Sequence, residues 1–473
     1  MILSLFLSII IPLIFGFCIL NLFFYATPYF IKRSPDNEKH NILEFFIWSY
    51  GTGCGLITLF IFVLSILGLP FNLWVFNLPL LILFLINIIF IFLKRRIAVQ
   101  LYFSSFRRFS FIEIALILII LFEIFFALSE SVLRPVINFD AIAQWGWNAK
   151  VLFFEGHQFF DSHSDLFLGG VHINYPLHIP LLMTWFYFWQ KPIGDIAFLR
   201  QIDTNLINDA SVNLLFSLYF LALVGLIYFS LRRIVSRKLS LLFAAILATL
   251  PLIDYHSFNA YADLPLAFYF TGAAVFMFFY FQNQRKQWLI LSAIFSGLAA
   301  WTKNEGLFLA IIIFVILFLY LLKEKKIRTH LKDLAIFFII FSVIFWPWML
   351  YKLFYGLGYS NMANDSFGSL GFHPEIFSPV LFQIFFARSF NLWFGIFVLI
   401  LFIRLKQLKK DHNLYLLLII LGSVLSYFLI YLLTPSFKFA MDGTVVGRNF
   451  ITIAPFSIFL AANLLSARGG KSE

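Results

Sequence analysis

The sequence predicts an all-α, polytopic membrane protein with about thirteen transmembrane helices. Of the 473 residues, 62% are hydrophobic and 12% are charged, whereas soluble domains are about 45–50% apolar and about 25% charged. The apolar residues form repeated runs of roughly bilayer length. A globular core cannot bury this apolar excess, but a bilayer accommodates helices that are apolar on all sides.

The apolar runs define the predicted spans in chain order. They lie near residues 3–25, 43–68, 74–93, 111–131, 211–231, 239–253, 264–281, 288–301, 306–322, 334–355, 379–403, 414–433 and 450–465. The run 176–190 is short and bounded by a proline, so we expect a re-entrant or interfacial segment. The longest segment between spans, 132–210, is rich in aromatic residues and is predicted to form helices along the membrane surface.

Lysine and arginine predict the orientation of the chain, because they collect in cytoplasmic loops. Most of the 34 lysines and arginines lie in the loops of one side, namely 26–42, 94–110, 232–238, 282–287, 323–333, 404–413 and the C-terminus. We therefore expect a plasma (inner) membrane protein with its N-terminus outside and its C-terminus in the cytoplasm. These loops also account for the net charge of +11, so no nucleic-acid partner is expected.

Two carboxylates stand at the ends of predicted spans on the outer face. Asp140 follows the fourth span and begins a segment typical of an interfacial amphipathic helix with a capping Asp. It also lies where a carboxylate can face a cavity, so it is a candidate catalytic residue. Asp263 precedes the seventh span, with Pro265 in the first turn, which is the pattern of a helix N-cap.

Two cations lie on the same predicted face. Lys303 occurs in the turn WTKNEGL together with Glu305, which predicts a local ion pair. Because lysines are scarce in the outer loops, Lys303 is also a candidate ligand for an anion such as phosphate. Arg448 stands directly before the last span, where it either snorkels to the membrane surface or binds phosphate or pyrophosphate.

The segment HINYPLHIPLL, residues 172–182, adds His172, Tyr175 and His178. Its prolines fit a turn into a membrane-inserted segment, and its polar side chains fit the wall of a pocket. Five segments that are distant in sequence are thus predicted to reach one face. Together they supply carboxylates for base chemistry, cations for a phosphate, and aromatic rings for a sugar or lipid.

These motifs resemble the family 39-like branch of the GT-C superfamily of polytopic glycosyltransferases. That branch contains protein O-mannosyltransferases, lipid A aminoarabinose transferases and bacterial relatives. Its motifs correspond here to Asp140 after a span, His172–Leu177 for HxxYPPL, Asp263 at the start of a span, the turn Lys303–Gly306, and Arg448–Pro455. The sequence departs from the pattern at Leu177, where a second proline is common.

The resemblance covers roughly residues 111–465, which we interpret as a GT-C-like catalytic domain that includes the outer loop 132–210. Residues 1–110 are then a three-span N-terminal extension that precedes the family's usual start, and residues 466–473 are a cytoplasmic tail. The first loop has a single Asp140 instead of an acidic pair. A metal site is therefore not indicated, and no cofactor is expected.

The resemblance implies an inverting transfer of a hexose or pentose from a polyprenyl-phosphate donor, on the outer face, to a hydroxyl of an unidentified glycan, lipid or protein. It implies that Asp140 is the general base and that Asp263 orients a substrate. Lys303 and Arg448 would stabilise the leaving lipid phosphate. The further candidates for substrate binding are Tyr175, His178, His172 and Glu305.

Two other functions are compatible with the residues. An O-antigen-type polymerase or ligase would use a pyrophosphate-linked donor, but its main outer loop usually lies late in the chain, whereas here it lies early. A non-enzymatic transporter of lipids or sugars often has duplicated halves and ionisable groups in mid-bilayer. This sequence shows no duplication, and Glu113, Glu123 and Arg388 are the exceptions to its placement of charges at helix ends.

Overall fold

In a computed structural model the chain is predominantly helical. The structure describes residues 2–30, 39–94, 100–102, 108–156, 174–190, 209–324, 327–357, 370–410 and 412–466. Residues 157–173, with His172, and 191–208 of the predicted outer loop and nearly all of the predicted tail lie outside the described residues. The all-α, polytopic class is confirmed, with one short parallel ladder between β1 (Lys39–Asn41) and β2 (Gln100–Tyr102).

The described residues of the first part of the chain form nine α-helices and a π-helical turn. They are α1 (Ile2–Phe30), α2 (Ile42–Ile66), α3 (Leu73–Lys94), α4 (Phe111–Leu133), the π-helix Ala141–Gly146, α5 (Trp147–Glu155), α6 (His178–Gln190), α7 (Asp209–Arg232), α8 (Arg237–Ala248) and α9 (Pro251–Ser257).

Ten further α-helices and two 3₁₀ turns complete the described chain. They are α10 (Asp263–Asn283), α11 (Lys286–Thr302), α12 (Asn304–Lys323), α13 (Ile327–Phe354), the 3₁₀ turn Pro374–Ile376, α14 (Phe377–Phe385), α15 (Trp393–Ile403), the 3₁₀ turn Leu405–Lys409, α16 (Asn413–Leu433), α17 (Phe437–Met441), α18 (Val446–Ile451) and α19 (Ala454–Ser466).

Nine helices within the described ranges are long and apolar enough to cross a bilayer, namely α1, α2, α3, α4, α7, α10, α12, α13 and α16. The other four predicted spans coincide with shorter or interrupted helices. The span at 239–253 is bent by 71° between α8 and α9, where Pro251 provides no backbone N–H to continue the first helix. The span at 379–403 is interrupted between α14 and α15, where Arg388 and Asn391 adopt left-handed backbone angles. The spans at 288–301 and 450–465 correspond to α11 and α19, of 17 and 13 residues.

The centre of the fold is α10, which is buried along its whole apolar length. It packs against α7, α11, α12 and α19. At Gly272 an added Cβ would lie 2.4 Å from the ring of Phe295 on α11. The absent side chain therefore allows these two helices to approach closely, as small residues do between membrane helices.

The predicted N-terminal extension shares this core. In α2, Gly51 and Gly55 lie directly against Phe268 of α10 and Leu298 of α11. The backbone carbonyl of Gly51 accepts a hydrogen bond of 2.8 Å from the hydroxyl of Tyr269. The boundary at residue 110 stays a prediction, but α2 is a central helix by its contacts.

The short segment 176–190 forms α6, which is buried from its first residue to Phe188. The indole of Trp185 donates to the carbonyl of Ser8 in α1 at 2.9 Å, and Thr184 donates to the carbonyl of Ala149 in α5 at 3.0 Å. This helix is thus enclosed by other helices of the protein along almost its full length.

Candidate active site

Asp140 lies in the connection after α4, at the entry to the π-helix Ala141–Gly146. Its carboxylate makes no capping hydrogen bond to the helix that follows. It instead accepts a short hydrogen bond from Nη1 of Arg448 in α18. The prediction that Asp140 caps a helix is therefore wrong, because an ion pair with a guanidinium is a stronger interaction than a bond to a neutral amide.

Asp263 is the first residue of α10, and the N-cap position belongs to Ala262. Its buried carboxylate binds two cations at once: Nε of Arg448 donates to Oδ2 at 3.0 Å, and Nζ of Lys303 donates to Oδ1 at 2.8 Å. The N-cap prediction is wrong here too. Asp263 joins the residues before the last span to the turn between α11 and α12.

Lys303 lies between α11 and α12 and binds a second carboxylate. Its Nζ is 3.1 Å from Oε1 of Glu305, which confirms the predicted local ion pair. The turn is tight because an added Cβ at Gly306 would lie 1.9 Å from the carbonyl oxygen of Ala299. A glycine is therefore needed to let α12 start against the end of α11.

Three carboxylates and two cations therefore form one continuous network, which we name the ion-pair network. Its members are Asp140, Arg448, Asp263, Lys303 and Glu305. Exposure of the side chains rises along it, from 1% at Asp263 to 23% at Asp140 and 25% at Arg448. The network is therefore anchored inside the protein and open at its Asp140–Arg448 end.

The carboxylates keep both cations protonated. Burial would lower the pKa of Lys303, but attraction by Asp263 and Glu305 outweighs burial and raises that pKa above its ordinary value. For Arg448, burial is likewise outweighed by Asp263 and Asp140, and its pKa is raised. Two permanent positive charges are thus fixed beside the partly exposed Asp140.

Aromatic rings cover the network from two sides. The ring of Tyr261 lies 4.9 Å from Cζ of Arg448, and the ring of Tyr175 lies 5.9 Å from Nζ of Lys303. Trp145, from the π-helix, packs edge-on against Tyr175 at 5.7 Å. Burial raises the pKa of the Tyr261 hydroxyl to about 12, so this ring stays neutral. Such rings provide cation–π contacts and flat apolar surfaces.

Comparison with known proteins gives the network a context. Residues 196–351 match the family model described as dolichyl-phosphate-mannose-protein mannosyltransferase. About a third of the chain is thus similar to this family of glycosyltransferases. The matched range includes Asp263, Lys303 and Glu305, whereas Asp140 and Arg448 lie outside it. No curated protein is similar enough to count as a match.

The chain is also similar to two crystal structures of ArnT from Cupriavidus metallidurans, one bound to undecaprenyl phosphate and one in the apo state. Each is 15% identical to it, and the alignments cover 76% of this chain. The TM-scores are 0.49 and 0.48, and the chain spans 60% of the length of each ArnT chain.

One predicted site residue lies apart from the ion-pair network. His178, at the start of α6, is fully buried and is bonded at Nδ1 to the hydroxyl of Thr58 at 2.7 Å. Its Nε2 lies 3.1 Å from the hydroxyl of Tyr219. His178 is thus a junction between α2, α6 and α7. His172 lies outside the described residues, and the described part of the chain holds no cluster of His, Cys, Asp and Glu suited to a metal ion.

The predicted site residues include neither Tyr261 nor His256. His256 is buried, with Nδ1 at 3.9 Å from Oδ2 of Asp263, and its ring stacks at a tilt on Tyr261, with 4.9 Å between centroids. His256 lies in α9 and Tyr261 in the connection from α9 to α10, which begins at Asp263. Their proximity to Asp263 in sequence is the signal that points to them.

Proposed function

We propose that the protein is a membrane glycosyltransferase that moves a sugar from a polyprenyl-phosphate donor to a hydroxyl of a glycan, lipid or protein acceptor. The observation that carries this proposal is the convergence of three carboxylates and two cations at helix ends. The match of residues 196–351 supports the same donor class, since its family description names a dolichyl-phosphate sugar.

Asp140 is the general base in this proposal. Its carboxylate takes the proton of the acceptor hydroxyl as the hydroxyl oxygen attacks the anomeric carbon of the sugar. The bond between that carbon and the phosphate oxygen breaks, and its electron pair leaves with the lipid phosphate. Attack opposite the leaving group inverts the anomeric configuration.

Arg448 links the two halves of this reaction. Its guanidinium binds both Asp140 and Asp263, but Asp140 is the partly exposed partner and Asp263 is the buried one. A donor phosphate therefore replaces Asp140 on Arg448 while Asp263 holds the arginine in place. The exchange places a cation on the leaving group and releases Asp140 to accept a proton.

The membrane side follows from the distribution of cations. The loops predicted to be cytoplasmic contain most of the lysines and arginines, whereas the network lies at the opposite helix ends. We infer an N-terminus outside, a cytoplasmic C-terminus and a site on the outer face of the plasma membrane. The polyprenyl chain of the donor would remain in the bilayer beside the site.

The test uses purified protein in lipid nanodiscs with short-chain polyprenyl-phosphate sugars, each labelled in the sugar. Wild type is compared with Asp140→Asn and with Asp442→Asn, an exposed carboxylate of the loop before α18. We expect one donor to be consumed in the presence of a membrane extract. Asp140→Asn should still bind lipid phosphate but stop consumption, and Asp442→Asn should behave as wild type.

Two results contradict the proposal. Consumption of a pyrophosphate-linked donor only would favour a polymerase or ligase. Turnover that is equal in wild type and Asp140→Asn would remove Asp140 as the base.

A further inference from the structure

Lys352 is a second buried lysine near the ion-pair network. In the described residues, Lys303 and Lys352 are the lysines with buried side chains. Lys352 lies in the last turn of α13, far in sequence from every motif of the site. A buried ammonium loses its hydration and is retained in a membrane protein mainly where it has a function.

The ammonium group of Lys352 is connected to the network by one backbone oxygen. Its Nζ donates to the carbonyl of Asn174 at 3.2 Å, and Nδ2 of Asn304 donates to the same carbonyl at 3.3 Å. Asn174 directly precedes Tyr175, which covers Lys303, and Asn304 directly follows Lys303. Lys352 is therefore attached to both segments that surround Lys303.

The charges of the network create a need for this lysine. Asp140, Asp263 and Glu305 carry three negative charges against two positive charges on Lys303 and Arg448. A departing lipid phosphate brings a further charge of about −1.5 to −2 at pH 7. One more fixed cation would bring the protein groups to neutrality before the phosphate arrives.

We propose that Lys352 is a third cation of the donor site and donates a hydrogen bond to a phosphate oxygen of the lipid donor. This inference rests on the proposed function. The ammonium group has three N–H donors, so it can hold the Asn174 carbonyl and a phosphate oxygen together. The same ammonium group of Lys352 then holds both the phosphate and the loop before α6.

The experiment measures binding of geranylgeranyl phosphate and of geranylgeraniol, its uncharged alcohol, to the full-length protein in nanodiscs. Lys352→Gln removes the charge but keeps an N–H donor for the Asn174 carbonyl. Lys352→Arg keeps the charge. Lys438→Met is the matched control, since Lys438 is an exposed lysine of α17.

We expect Lys352→Gln to weaken phosphate binding by about tenfold or more, in keeping with the loss of a charge-assisted hydrogen bond. Binding of the alcohol should change by less than about twofold, as expected for a ligand without phosphate. Lys352→Arg should retain most of the preference for phosphate, and Lys438→Met should bind both lipids as wild type does. A purely structural role predicts equal effects on the two lipids.

Three results would overturn the inference. In the first, Lys352→Gln leaves phosphate binding unchanged. In the second, it weakens both lipids equally, which identifies Lys352 as a structural tether. In the third, wild type itself shows no preference for the phosphate, which removes the proposed function as well. If Lys352→Gln does not fold, Lys352→Met is tested by the same ratio of the affinity for the phosphate to the affinity for the alcohol.

Discussion

Buried charges occur at both ends of the helices, but the two ends use them differently. We name the end that holds Asp263 and Lys303 the site end, and the opposite end the basic end. At the basic end each buried carboxylate of the described residues has at least one cation of its own. The pairs are Glu44 with Arg233, Glu113 with Arg237, and Asp333 with Lys286 and His330. At the site end, Arg448 and Lys303 are shared by three carboxylates.

The surroundings of the arginines differ in the same way. Arg233 is covered by Trp288 at 4.9 Å and Trp48 at 5.8 Å, and its Nε and Nη2 each donate to the carboxylate of Glu44. Arg448 divides its contacts between Asp140 and Asp263. A matched pair under aromatic rings joins helices, whereas a shared cation at an open edge can exchange one partner for a ligand.

The largest expected effect is that of Asp263→Asn. This change removes the buried carboxylate that Lys303 and Arg448 share, and breaking a buried pair costs about 3–5 kcal/mol. We expect a clear fall in thermal stability in nanodiscs and no turnover in the protein that remains folded. Glu44→Gln at the basic end should lower stability but leave turnover per folded molecule intact. Loss of turnover in both variants would erase the distinction between the two ends.

Arg448→Lys should have the next largest effect. Lysine keeps the charge, but it cannot reach two carboxylates in the planar geometry of a guanidinium. We expect turnover of the lipid-linked donor to fall about 10- to 100-fold, in keeping with the loss of one charge-assisted hydrogen bond. Steady-state kinetics would measure this fall. Arg237→Lys is the counterpart at the basic end, and a comparable loss of turnover there would contradict a special role for Arg448.

His178→Asn should affect stability more than donor use. His178 bonds to Thr58 and Tyr219 inside the core, and an unsatisfied buried polar group costs about 1–3 kcal/mol. We expect lower thermal stability with an unchanged KM for the donor. A large rise in KM at unchanged stability would instead support the prediction that His178 lines a sugar pocket.

The sequence allowed the helices to be predicted and the five residues of the network to be singled out, because apolar runs and charges at the ends of those runs are local signals. The sidedness of the helices stays a prediction. It did not reveal that α2 is central, since an apolar helix looks the same whether lipid or protein surrounds it. The glycines Gly51, Gly53 and Gly55 are its marks of close packing. The partner of Arg448 was equally hidden: Asp263 is 185 residues away, and its position before Pro265 is that of an ordinary helix start.

The smallest expected effect is that of Glu305→Gln, and it has the opposite sign. Glu305 lies 3.1 Å from Lys303 and is partly exposed at 17%, so its charge competes with an incoming phosphate for the ammonium group. Removing that charge should strengthen binding of geranylgeranyl phosphate by about two- to fivefold, a gain of less than 1 kcal/mol that fits a partly exposed pair. The lipid-binding assay measures this gain.

Glu375→Gln, which removes an exposed carboxylate paired with His373, should leave the affinity unchanged. Weaker binding in Glu305→Gln would mean that Glu305 holds Lys303 in its binding position and does not compete with the ligand.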